Sequence, residues 1–301
     1  MRAIQVTEYG GPEVLQLADV ERPSPIPTEV LVEAHAAGVN PVDWKTREGR
    51  GASRACGPPP FTLGWDVAGV VAEVGRGVTL FRPGDRVFGM PWFPRRAGAY
   101  AEFVTAPSRQ FARMPDGLSF EDAAALPLAA LTAWQALVDT AQLRDGQTVL
   151  INGASGGVGH LAVQIAKARG AHVIGTARAV NHEFLRELGA DECVDYEQVP
   201  LQEAASNLDV VLDLVGGDAS DAAMKTLREG GLLISVPGGH KGATGILVEP
   251  DGHGLSEIAA LIRDGRLKAH VDRTLPLEEA AEAHRLLESG GHRGKIVLTV
   301  K

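Results

Sequence analysis

Short apolar runs broken by Gly and Pro fill roughly the first 122 residues: "MRAIQV", "EVLVEAHAAGV", "VAGVVAEVG", "GDRVFGM" and "AYAEFVTAP". Such runs with frequent turn signals predict an antiparallel, barrel-like β domain. Around Glu121 the pattern changes to the alanine- and leucine-rich "EDAAALPLAALTAWQALVDT", which predicts helix. Strands are then predicted at 148–152, 172–176, 192–195, 209–213, 231–236 and 246–249, with amphipathic segments at 157–169, 181–188 and 254–264 between or after them. This alternation requires right-handed crossovers and a parallel sheet covered by helices on both faces. Beyond Gly265 the β-rich texture returns as "KAHVDRTLPL", a helix at "EEAAEAHRLLES" and a last strand "GKIVLTV". The expected fold class is α/β: a β-rich domain made of 1–122 and 266–301, and a doubly wound domain with a six-stranded parallel sheet over 123–265.

The first turn from strand to helix carries the clearest chemistry. Gly153 is followed by Ala154-Ser155-Gly156-Gly157-Val158-Gly159, with alanine in place of the first fingerprint glycine. Glycines there let the backbone turn tightly, approach a pyrophosphate and pack the helix on the sheet, while free N–H groups at the helix start meet the phosphate charge. The same pattern also describes an ordinary strand-to-helix turn. Its place between a strand and a helix, with a second strand ending near Thr176, favours a dinucleotide on Ser155, Gly156, Gly157 and Val158. NAD sites commonly place an acid at the end of the second strand to hold the ribose hydroxyl. This chain has Thr176-Ala177-Arg178 instead. Arg178 is either a solvated loop residue or the partner of a 2′-phosphate, and the missing acid points to NADPH.

Composition narrows the function classes. The 301 residues are 45% hydrophobic and 22% charged, with a formal net charge of -9. That balance speaks against nucleic acid or an anionic membrane surface as partner, since both need a clustered basic face. The two cysteines, Cys56 and Cys193, are too few for a disulfide framework or a cysteine-based zinc site. No stretch has the apolar length of a signal-peptide core or a membrane span, so a cytoplasmic location is expected.

Nearly the whole chain resembles the zinc-free quinone oxidoreductase branch of the medium-chain dehydrogenase/reductase superfamily. The segments that carry the resemblance are "AAGVNPVDWKTREG" (36–49), "LGWDVAGVVAEVG" (63–75), "PGDRVFG" (83–89), "GAYAEF" (98–103), "GASGGVGHLAVQIAK" (153–167), "NHEFLRELGADECVDY" (181–196), "DLVGG" (213–217) and "RGKIVL" (293–298). The resemblance implies a GroES-like catalytic domain completed by C-terminal residues, an inserted Rossmann domain, and an active-site cleft between the two. Zinc-dependent relatives carry a Cys and a His-Glu pair where this chain has Asn40 and Trp65-Asp66, and the cysteine-rich lobe for structural zinc is missing.

Without a Lewis acid, oxidation of a simple alcohol is disfavoured. Reduction of a quinone or of the activated C=C of an α,β-unsaturated carbonyl needs only hydride delivery and a place for the enolate charge. Lys45 falls where zinc-dependent relatives carry a proton-relay histidine, and the resemblance casts it as stabiliser or acid; a surface lysine is the other reading. Asn40 is expected to orient nicotinamide or substrate, or simply to form the turn before Pro41, and Asp43 to cap the following helix.

The resemblance places Thr132 near the nicotinamide, His182 and Tyr196 on the adenosine side, and Val215-Gly216 with Pro237-Gly238 along the ribose and nicotinamide channel. Trp44, Trp92 and Phe93 line an apolar pocket or belong to the core, and Cys56 lies on a loop over the cleft. A homodimer joined near 231–249 is expected from the family. Two other activities fit the same motifs: a nucleotide-binding redox sensor or adaptor with little catalysis, and an enoyl-thioester reductase.

Overall fold

The computed structural model describes all 301 residues. They divide into two compact units, Met1–Leu128 with Glu249–Arg263 and Ala269–Lys301, and Ala129–Val248 with Asp264–Lys268.

The first unit is built on a seven-stranded sheet. Its central strand, Glu29–Val39, is buried along most of its length and pairs antiparallel with Asp66–Val74, Phe103–Pro107 and Lys295–Thr299. A three-stranded sheet of Leu15–Asp19, Arg2–Val6 and Phe61–Thr62 completes the β framework. One pair departs from the antiparallel expectation: Val271–Pro276 runs parallel to Lys295–Thr299. The helix Ala280–Ser289 lies between these two strands in sequence. A parallel neighbour needs a crossover of this kind, whereas hairpins serve the antiparallel ones.

The helix Gly252–Arg263 falls within the first unit, whereas alternation with the preceding strands predicts it in the nucleotide domain. A Cβ on Gly252 would lie 2.5 Å from the Arg109 carbonyl oxygen and 2.6 Å from that of Phe111. Only glycine permits so close an approach between the helix start and that segment. Alternation reports element type; it says nothing about which unit an element packs on.

The second unit is a six-stranded, all-parallel sheet in the order Glu192–Val194, His172–Thr176, Thr148–Asn152, Leu208–Asp213, Leu227–Ser235 and Thr244–Gly245. The order reverses between Thr148–Asn152 and Leu208–Asp213, which makes that point the switch of a doubly wound sheet. Leu150, Ile174, Val211 and Leu233 from four strands pack with Leu208 and Ala223 in one core cluster. The last strand is shorter and earlier than the predicted 246–249: only Thr244 and Gly245 pair, and Leu247 is 67% exposed. An apolar run signals a preference for burial, but edge pairing depends on backbone register with a neighbour. The predicted helix over 121–140 is likewise divided into Phe120–Ala124, Pro127–Trp134 and a wide π turn, Gln135–Thr140. Pro127 opens its helix, where its missing N–H costs nothing. No helix is long and apolar enough to cross a membrane.

Candidate active site

In the second unit the parallel register gathers most of the predicted cofactor residues along one row of strand ends. Thr176 pairs with Val194, so Arg178 and Tyr196, each two residues further on, leave the sheet side by side and exposed. Asp213 pairs with Ser235, which brings Val215-Gly216 beside Pro237-Gly238 in the same way. The turn Gly153–Val158 follows the neighbouring strand Thr148–Asn152. Thr132 is outside this row of strand ends, buried on the helix Pro127–Trp134.

The glycine turn fits a dinucleotide phosphate. Gly153 has φ +84°, a left-handed conformation that a side chain would strain. Its N–H is held by Thr176 Oγ1 at 3.0 Å. A Cβ on Gly159 would lie 2.3 Å from the Gly153 carbonyl oxygen, so this glycine sets how closely the helix Gly159–Ala168 meets the turn. No backbone acceptor within the chain meets the N–H of Gly157 or Val158. Asn181 donates to Ser155 Oγ at 3.2 Å, and His182 Nε2 donates to the Ala177 carbonyl at 3.1 Å, tying the second turn to the first. In the next turn, Asp195 is engaged by the N–H groups of Ala179 at 3.3 Å and Glu197 at 3.0 Å.

Beneath these turns runs a polar network not foreseen from the sequence. Thr176 Oγ1 donates to Asn152 Oδ1 at 2.8 Å, and Asn152 Nδ2 donates to Asp213 Oδ1 at 2.9 Å. Asp213 also accepts from the N–H of Val215 at 3.0 Å and of Gly216 at 3.2 Å, and from the hydroxyls of Ser220 and Ser235. Burial raises this carboxyl's pKa, but the Ser220 hydroxyl, the two N–H groups and Asn152 outweigh it and hold the value below the ordinary range. The one available signal was a polar residue ending each of four apolar strands: Asn152, Thr176, Asp213 and Ser235.

In the first unit Asn40 precedes the helix Pro41–Arg47 and is 2% exposed. Its N–H donates to Asp43 Oδ2 at 2.7 Å, which makes Asp43 a capping residue as expected. Its side chain is held at both ends: Nδ2 donates to Asp66 Oδ2 at 2.8 Å, and Lys295 Nζ donates to Oδ1. Asp66 Oδ1 accepts from the Leu128 N–H at 2.7 Å. Burial raises the Asp66 carboxyl, opposed by Lys295 and by its hydrogen bonds. Burial, together with the charge of Asp66, also lifts Asp43 to about 7. The Tyr100 hydroxyl also faces Asp43 and opposes this rise.

Lys45, one turn along the same helix, is half-buried, with Nζ 5.5 Å from the centre of the Trp44 ring. Phe93 packs edge-on against buried Trp65, and the Trp92 indole donates to the Thr105 carbonyl at 2.9 Å. Cys56 closes the short helix Ser53–Cys56 rather than lying on an open loop; burial, opposed by Arg96, pushes its thiol up to about 11 and makes it a poor nucleophile. A groove of about 440 Å³ lined by Phe81, Phe111, Arg109, Arg113 and Arg263 contains none of the predicted site residues.

A second buried cluster lies behind the Pro41–Arg47 helix. Arg47 donates to His284 Nδ1 at 3.1 Å and to Glu288 at 2.7 Å, and the Tyr100 hydroxyl is 3.4 Å from His284 Nε2. An arginine only donates, so His284 is neutral with its hydrogen on Nε2. Burial and then the Arg47 charge lower His284 to about 3. Between pH 6.5 and 3 the unfolded chain therefore binds a proton that the folded chain refuses, and stability falls by about 1.4 kcal/mol per pH unit as the medium is acidified. Asp43 acts with the opposite sign between its ordinary range and about 7. Urea denaturation of wild type and His284→Gln across this window should show wild type losing stability toward acid relative to the variant; parallel curves would refute this assignment.

The description "Alcohol dehydrogenase GroES-like domain" matches residues 26–116, and "Zinc-binding dehydrogenase" matches residues 188–298. Rat quinone oxidoreductase is 35% identical, covering 99% of this chain and 97% of its own. The structure of the quinone oxidoreductase from Coxiella burnetii matches with a TM-score of 0.94 and 39% identity over 100% of this chain and 99% of that one. The Escherichia coli quinone oxidoreductase complexed with NADPH matches at 0.86 and 30% identity over the full length of both chains.

The zinc named in one description does not fit the residues at the matching positions. Trp65 offers only an indole N–H, already given to the Arg95 carbonyl at 2.7 Å, while Asn40 and Asp66 are occupied by each other and by Lys295. By sequence and fold together, the chain belongs to the quinone oxidoreductase-like branch of the medium-chain dehydrogenase/reductase superfamily, a branch of oxidoreductases.

Proposed function

We propose that this protein is a zinc-independent, NADPH-dependent reductase of quinones or of the activated C=C of α,β-unsaturated carbonyls. The observation that carries the reading is the Asn40–Asp66–Lys295 contact, in which an amide and a carboxylate stand at two of the positions that the resemblance assigns to metal ligands and a buried ammonium holds them together. A site of this composition lacks the Lewis acid that alcohol oxidation requires, but it can serve a substrate that carries its own electron-withdrawing carbonyl.

NADPH, when bound, supplies the hydride. The turn Ser155–Val158 holds its pyrophosphate, Arg178 pairs with the 2′-phosphate, and His182 with Tyr196 borders the adenosine. Thr132, Val215-Gly216 and Pro237-Gly238 flank the nicotinamide side. Asn40 presents its remaining Nδ2 hydrogen to orient nicotinamide or substrate. Lys45 stabilises the enolate oxygen and gives its proton to the α-carbon.

The test is NADPH oxidation followed by absorbance, with NADH in parallel and EDTA present, over simple quinones, short enones and enals. Turnover that survives EDTA and prefers NADPH is expected. Tight NADPH binding with no turnover on any of them would sink the reductase reading. Lys45→Ala should lower kcat about a hundredfold, the lower end for a general acid because solvent can replace it. An unchanged kcat would return Lys45 to the surface. Arg178→Ala should raise KM for NADPH about tenfold and leave KM for NADH unchanged, as expected for an exposed charge-assisted pair. Equal effects on both would remove the 2′-phosphate assignment.

A further inference from the structure

A buried carboxylate needs a counter-charge, and the fold brings one from the far end of the sequence. The antiparallel register pairs Ile296 with Val39, which sets Lys295 opposite Asn40, and Gly38 pairs with Asp66 on the other side of the same strand. Three side chains from distant segments thus close a ring. Lys295 Nζ donates to Asn40 Oδ1 and lies 3.4 Å from Asp66 Oδ2, to which Asn40 Nδ2 donates at 2.8 Å. Lys295 is 3% exposed and Asp66 fully buried, so water does little to screen the pair.

We propose that the Lys295 ammonium is a resident cation standing in for a metal ion. It engages the oxygens that a divalent cation would bind, excludes that cation, and fixes the orientation of the Asn40 amide. This rests on the reading above that Asn40 belongs to the reaction site. A lysine can only donate, so Oδ1 must face Nζ and Nδ2 must face Asp66, and one Nδ2 hydrogen remains for a ligand. Lys295 and Asp66 are positioning residues for Asn40.

The exclusion follows from charge and space. A metal would sit about 2.0–2.6 Å from the same oxygens, within the volume and charge already supplied by Nζ. With the ammonium withdrawn, Asn40 Oδ1 and the Asp66 carboxylate are left uncompensated. Hard oxygens of this kind suit Mn²⁺ or Mg²⁺ better than a thiophilic metal.

The experiment compares melting temperatures of wild type, Lys295→Arg, Lys295→Ala and Asp66→Asn/Lys295→Ala in EDTA and in millimolar Mn²⁺. Wild type and Lys295→Arg should be indifferent to Mn²⁺. Lys295→Ala should melt lower in EDTA and recover as Mn²⁺ is raised, because a ligand that binds only the folded state stabilises it. The double variant should not respond. A Mn²⁺ shift in wild type equal to that in Lys295→Ala, or a folded Lys295→Ala blind to Mn²⁺, would overturn the proposal. If Lys295→Ala does not fold in EDTA, refolding it in Mn²⁺ decides: recovery supports the resident cation and failure to recover rejects it.

For the positioning role, Asp66→Asn/Lys295→Met should lower kcat at least tenfold with KM for NADPH unchanged, while Lys295→Arg keeps kcat within a few-fold. An unchanged kcat in the folded double variant would refute it. The melting arms do not involve turnover, so failure of the reductase reading and failure of the resident cation are separately visible.

Discussion

Asp213→Ala is expected to destabilise the protein by about 3–6 kcal/mol and to abolish retention of the nucleotide. This carboxylate, at the switch point of the parallel sheet, accepts from Asn152, Ser220, Ser235 and the N–H groups of Val215 and Gly216. Each buried donor that loses its acceptor costs about 1–3 kcal/mol, and water entering the vacated space recovers part of the sum. The turns that carry Gly153 and Val215-Gly216 are held through this network, so the proposed phosphate and ribose contacts should fail with it. Because the folded pKa is depressed, the stabilisation is present above the ordinary aspartate value near 3.8 and disappears as pH falls through the folded value. Urea denaturation at pH 7 and at pH 3, with NADPH binding by fluorescence, measures both effects. A loss below 1 kcal/mol at pH 7 would mean that the network is incidental to the fold.

Breaking the Asp66–Lys295 pair from one side should cost about as much. Lys295→Met leaves a fully buried carboxylate without its counter-charge, a change typically worth about 3–5 kcal/mol. Asp66→Asn leaves the ammonium in the same position and should lose a similar amount. Removing both, as Asp66→Asn/Lys295→Met, should lose less than either single change, since the desolvation cost of the two charges disappears with them. The raised pKa of Asp66 points the same way: burial outweighs the help from Lys295. The Lys295→Met deficit should also shrink as pH falls, because Asp66 then takes up a proton and becomes neutral. A double-mutant cycle in denaturant at pH 7 and pH 5 tests this; additive losses would show that the pair is not coupled.

Much of the fold was legible in local pattern. The glycine turn between Thr148–Asn152 and Gly159–Ala168 could be read because the physics involved is short-range: a β-branched run, glycines where the backbone must turn, and an amphipathic segment after them. The missing acid after Thr176 could be read for the same reason, since the end of the second strand lies a predictable distance beyond the turn. The predicted strand at 246–249 failed because pairing at a sheet edge is a relation between two segments and is not written in either one. The parallel pair Val271–Pro276 and Lys295–Thr299 failed for the same reason.

The candidate site divides along the same line. From the sequence came the glycine turn and the interest of Arg178, and from the family resemblance it carries came the lack of cysteine and histidine where metal ligands would stand and the interest of Asn40 and Lys45. Only the tertiary structure placed Lys295 beside Asn40 and Asp66, joined Asp213 to the ends of three other strands, one of them through Asn152, and enclosed His284 with Arg47 and Tyr100. These contacts join residues as many as 255 positions apart. Sequence pattern carries information over a few helical or strand periods. The counter-charge of a buried group is set by strand register and burial, which exist only once the chain has folded.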